Sequence, residues 1–149
     1  MCGIAGFITI NPKINSRAIV NDMLRTMNHR GPDQKGVFTD KLLTIGTVRL
    51  SIIDQERHEI PYEAEDKSAI IVYNGEVYNH EELRSSGKRP FNFKSNSDAE
   101  TVLYHYLEKG VASFSDYNGM YAFALLDKNK NELYLVRDRA GEKALYYTY

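Results

Sequence analysis

The sequence predicts an α+β domain in which helices cover the faces of largely antiparallel sheets. Three observations carry that expectation. Six segments are rich in β-branched and aromatic residues. Helical periodicity with recognisable ends is confined to two stretches. So few helices cannot supply the long crossovers that parallel strands need.

Taken in chain order, "IAGFITI" (4–10) is the first strand. Ser16 then caps a helix running through Asn28, with Ile19, Val20, Met23, Leu24 and Met27 on one face. "LLTIGTVRL" (42–50) and "SAIIVY" (68–73) follow as strands, and "ELRSSGKRP" (82–90) reads as a surface loop. In "NSDAETVLYHYLEKG", Ser97 and Glu100 have capping-box spacing, and Val102, Leu103, Tyr106 and Leu107 form an apolar stripe. Gly110 falls where a C-terminal glycine belongs. "GMYAFALLD" (119–127) and "ELYLVRD" (132–138) are strands joined by a "DKNKN" hairpin, and "ALYYTY" (144–149) is the last strand.

Composition narrows the function. With 42% apolar and 26% charged residues in 149, the chain suits one globular domain with a real core. A net charge of −1 gives no electrostatic reason to expect nucleic acid or an anionic membrane as partner. No apolar run reaches membrane-spanning length, and no secretory signal opens the chain. A single cysteine cannot form an intrachain disulfide, so a cytoplasmic location is the expectation. His29, His58, His80 and His105 lack metal-ligand spacing and read as surface groups or groups set behind a site; no metal is expected. The eleven tyrosines read as packing, not as a stacking platform.

That one cysteine is Cys2, in "MCGIAGF". As a small buried hydrophobe at a strand start it would need no further role. Removal of Met1, however, would give it a thiol and a free α-amine on one residue. An amine with an ordinary pKa of about 7.7–8.0 is partly neutral near neutral pH. It can take the thiol proton, directly or through a water, and so activate a nucleophile. In "IIVYNGEVYNH", Asn74-Gly75 is by itself a strong two-residue turn signal. The asparagine amide beside a glycine N–H is also a pair of donors suited to an oxyanion. A turn could aim both.

"MCGIAGF", "HRGPD", "RLSIID", "YNGEVYN", "SDAE", "GMYAFALLD" and "RDRAG" together resemble, in order, the class II glutamine amidotransferase domain. The likeness is nearest to the glutaminase domain of the asparagine synthetase branch, and it spans residues 1–149. It implies an N-terminal-nucleophile αββα sandwich: two mainly antiparallel sheets between helical layers. It also implies that Cys2 attacks the side-chain amide of glutamine, that Asn74 and Gly75 hold the oxyanion, and that water hydrolyses the thioester to glutamate. By the same resemblance Arg49 binds the α-carboxylate and Asp98 the α-ammonium, while Glu76 and the backbone of Leu50, Ser51, Ile52 and Ile53 line the pocket. A guanidinium fork suits a carboxylate. Without the resemblance, Arg49 is an ordinary strand-end arginine and Asp98 a first-turn acid favoured by the helix dipole. Arg30, Gly31, Pro32 and Asp33 are expected to form a structural loop beside the site.

Some segments depart from the family. "QERHEIPYEAED" replaces the usual Gly…Gln-Pro continuation after "RLSIID", and Ala140 and Ala144 stand where a larger apolar residue and a proline are common. The first departure bears on the loop beside the pocket and not on the motif before it; those at Ala140 and Ala144 are expected to affect packing or docking more than chemistry. The family's domain runs further and precedes an ATP-using synthetase domain, so the chain is expected to be a C-terminally incomplete type-2 amidotransferase domain. No pyrophosphate loop occurs in it. The glutaminase half is expected to need no cofactor; ATP and Mg belong to the absent synthetase domain, or to a partner chain receiving ammonia. Two alternatives to ammonia supply for asparagine synthesis stay open. One is a non-catalytic, partner-dependent binding module. The other is an enzyme with a different amide substrate, or with a sugar or secondary-metabolite acceptor.

Overall fold

The computed structural model describes residues 2–51 and 59–149. Two antiparallel sheets form its centre. The first has the order β1-β3-β2, from β1 (Gly3–Ile8), β2 (Gln34–Asp40) and β3 (Leu43–Arg49). The second has the order β4-β5-β6-β7, from β4 (Tyr62–Glu63), β5 (Ala69–Val77), β6 (Gly119–Asp127) and β7 (Glu132–Arg137). Three helices accompany them: α1 (Ser16–Thr26), α2 (His80–Ser86) and α3 (Asp98–Lys109), the last continued by a 3-10 stretch, Gly110–Ser115.

Strand alternation builds the layers. In β5, Ile70 and Val72 meet Leu43 and Ile45 of the first sheet, with Ala124 and Leu126 of β6 beside them. The residues between, Ile71 and Tyr73, turn the other way and pack with Phe123 and Leu125 under Val102, Leu103 and Tyr106 of α3. On the far side of the first sheet, Val48 meets Val20 and Leu24 of α1. The result is the expected αββα sandwich. Among the described residues no helix is long and apolar enough to cross a membrane.

Local signals were read differently by the fold in several places. Asn15, not Ser16, caps α1, accepting from the Ala18 N–H at 3.0 Å, while Ser16 bonds the Thr44 hydroxyl across to β3 at 2.8 Å. Ser97 caps α3 as expected, but Glu100 does not complete a capping box. Its carboxylate accepts from the backbone N–H groups of Lys94 and Ser95 and from the Ser95 hydroxyl, tying down the approach to the helix. The "ELRSSGKRP" loop is instead half helix: α2 is anchored by Arg84, which donates to Thr101 Oγ1, Ser95 O and Ser97 O. "QKGVFTD" forms β2, a strand that its polar composition did not announce. "ALYYTY" forms no strand, and Tyr146, Tyr147 and Tyr149 are exposed. His105 is buried, with Nε2 2.9 Å from Asp116 Oδ2; His58 lies outside the described residues.

Candidate active site

Cys2 immediately precedes β1. Its carbonyl accepts from Arg30 Nε at 3.1 Å, and its thiol lies 4.0 Å from the Leu50 carbonyl. One residue on, the Gly3 carbonyl accepts from Thr47 Oγ1 at 3.0 Å. The chain start is thus held from two sides by groups of the first sheet and its loops.

The "RGPD" segment is the brace. Pro32 forms a bridge to Arg49, the Asp33 N–H donates to the Arg49 carbonyl at 3.1 Å, and the Ser51 N–H donates to Asp33 Oδ2 at 2.7 Å. Gly31 makes this possible, because a Cβ there would sit 2.5 Å from the Val48 carbonyl carbon. Arg49, the last residue of β3, is buried, and its Nη1 donates to Gln34 Oε1 at 2.8 Å.

Asn74-Gly75 is not a turn. Both residues lie inside β5, opposite Ala122 and Tyr121 of β6. Asn74 shares the face of Ile70 and Val72, toward the first sheet. Gly75 is required by close approach: a Cβ would lie 2.2 Å from the Met120 carbonyl oxygen and 2.5 Å from the Tyr121 Cα. Asp98, first residue of α3, reaches across to the same strand. Its Oδ2 accepts from the Tyr73 hydroxyl at 2.6 Å and the Val77 N–H at 2.8 Å.

These residues border one cleft of about 130 Å³. Arg49 contributes from the end of β3, with Cys2 and Leu50 just outside the strands of the first sheet, Asn74, Gly75 and Glu76 from β5, and Asp98 from α3. Ser51 is not among the residues that line it, and its N–H donates to Asp33 Oδ2. Ile52 and Ile53 lie outside the described residues. Among the further lining residues that the sequence did not point to are Tyr73, indistinguishable from core by pattern, and Lys143, a buried cation. The cleft therefore combines two cations, Arg49 and Lys143, with two carboxylates, Glu76 and Asp98. Burial, reinforced by the Asp98 charge and its hydrogen bond, pushes the Tyr73 phenol pKa well above its ordinary value. Among the described residues no cluster of three or more His, Cys, Asp or Glu could hold a metal ion.

A thiol, an amide donor and separate fixed charges in one cleft suit acyl transfer on a small zwitterion, and comparison with known proteins agrees in kind. The chain is 38% identical to asparagine synthetase [glutamine-hydrolyzing] 2 of Bacillus subtilis, over 99% of this chain and 20% of that protein. It is 35% identical to asparagine synthetase B [glutamine-hydrolyzing] of Escherichia coli, over 100% of this chain and 27% of that protein. It spans about a quarter or less of the length of such relatives. Among solved structures, a glutamine phosphoribosylpyrophosphate amidotransferase from B. subtilis complexed with ADP and GMP superposes with a TM-score of 0.62. That match covers 85% of this chain and 35% of the other at 20% identity, and it bears on the fold alone. The model of the glutamine amidotransferase domain matches residues 1–149, and the chain belongs to that family.

Proposed function

We propose that this domain hydrolyses the side-chain amide of glutamine through a Cys2 thioester and supplies ammonia to a synthetase domain or partner chain. The observation that carries the reading is the gathering of Cys2, Arg49, Asn74, Gly75 and Asp98 on one cleft from four separate parts of the chain. Removal of Met1 frees the Cys2 amine, which accepts the thiol proton as Sγ attacks the amide carbon. The Asn74 amide and the Gly75 N–H receive the charge that develops on the amide oxygen. Collapse of the tetrahedral adduct breaks the C–N bond, and the amine-borne proton leaves with ammonia. Water then attacks the thioester, giving glutamate and the free thiol.

Arg49 and Asp98 supply the fixed cation and anion that a free amino acid needs. Gln34 holds the guanidinium in place. Kinship with asparagine synthetases points to an acceptor for asparagine or a related amide. ATP and Mg serve that acceptor chemistry, not this cleft.

The test combines intact mass with glutamine-dependent glutamate release. The expected result is loss of Met1, turnover by the wild type, capture of γ-glutamyl hydroxamate with hydroxylamine, and background activity in Cys2→Ala. Turnover that survives Cys2→Ala would refute the thioester. A folded, processed chain that releases no glutamate would leave a binding module instead of an enzyme.

A further inference from the structure

We infer that Tyr73 is a positioning residue for glutamine: its hydroxyl fixes one oxygen of Asp98, so that the carboxylate presents its charge to the substrate's α-ammonium group. The inference rests on the glutaminase reading above and concerns the amino end of the substrate.

Asp98 would serve its own helix as a first-turn acid without touching anything else. Instead its Oδ2 is held by two donors of one strand, the Tyr73 hydroxyl at 2.6 Å and the Val77 N–H at 2.8 Å. A carboxylate offers about four lone-pair sites on two oxygens, so anchoring Oδ2 sets the orientation of the whole group. The anchoring strand is also the one that carries Asn74 and Gly75. Recognition of the amino end and stabilisation of the oxyanion are thereby referred to a single rigid element.

Packing alone does not require this hydroxyl. Tyr73 is 8% exposed, its ring stacks on Phe123 at 6.2 Å between centroids, and it belongs to the core under α3. Phenylalanine would satisfy all of that. The raised phenol pKa keeps the hydroxyl protonated, and a donor, at any working pH.

The experiment compares wild type, Tyr73→Phe and Cys2→Ala on glutamine and on glutaramate, which has the same carboxylate and amide but no α-amino group. Loss of one charge-assisted hydrogen bond corresponds to roughly a tenfold effect. Tyr73→Phe should raise the glutamine KM about tenfold, leave kcat within about twofold, and leave glutaramate turnover unchanged. An unchanged glutamine KM in Tyr73→Phe, or equal losses on both substrates, would overturn the inference. Equal rates for wild type and Cys2→Ala would instead defeat the glutaminase reading itself.

Discussion

Asp138, in "RDRAG", is the most informative position for stability. It is 5% exposed and accepts three backbone N–H groups: Tyr121 at 3.2 Å and Lys143 at 3.0 Å on Oδ2, and Glu142 at 2.8 Å on Oδ1. One carboxylate therefore ties residues 138–143 to β6 and sets Lys143 on the cleft. Burial alone would raise its pKa; the N–H groups of Lys143, Glu142 and Tyr121 together outweigh burial and hold it below the ordinary 3.8. Asp138→Asn keeps the shape, removes the charge and turns an NH2 toward a backbone donor. A hydrogen bond to a charged group is worth about 1.5–3 kcal/mol, so the loss should be about 3 kcal/mol. At about 2–4 °C per kcal/mol for a chain of this size, Tm at neutral pH should fall by about 6–12 °C. The assay is thermal unfolding of both proteins across a pH series. Because the folded pKa is depressed, the carboxylate's contribution is complete above pH 3.8 and is lost as pH falls through the folded value. The gap between the two proteins should therefore narrow in acid. A gap unchanged from neutral pH to well below 3.8, or none at neutral pH, would refute the reasoning.

Two further substitutions probe the frame of the site. Glu100→Ala should lower stability by about 2–4 kcal/mol, read as a shifted urea midpoint, because it orphans the donors of Lys94 and Ser95 just before Asp98. Gly75→Ala should cost about 3 kcal/mol and speed amide exchange in β5 and β6, since its Cβ would meet the Met120 carbonyl at 2.2 Å; wild-type exchange would contradict the close approach.

The helix after Ser97 was legible because its cap, apolar stripe and terminal glycine agree with one another. The β6–β7 hairpin was legible for a similar reason, with turn residues between two apolar runs. Signals set by distant partners were not. Asn74-Gly75 has the local chemistry of a turn, yet nine residues of β6 hold the strand straight through it. "SSGKRP" punctuation hid α2, whose stability comes from Arg84 reaching to the segment before α3. "ALYYTY" has the propensity of a strand, but no described strand pairs with it. The site divides in the same way. Cys2 can be argued from position and chemistry, whereas Arg49 and Asp98 are unremarkable until family resemblance points to them. Tyr73 stayed hidden because a core tyrosine and one that grips a carboxylate share the same pattern.

The alternation of β5 also works as a ruler. Tyr73 and Asn74 are neighbours facing opposite layers, and the strand advances about 3.3 Å per residue. A slip of one residue against β6 would exchange their faces, removing the grip on Asp98 together with the proposed oxyanion donor. On the proposed reading, the distance between the substrate's charged end and its reacting amide is thus set by backbone register instead of by any adjustable side chain. An amino acid with its amide one methylene nearer, held by the same charges, would stop short of Cys2. Selection for chain length would then be a property of strand pairing.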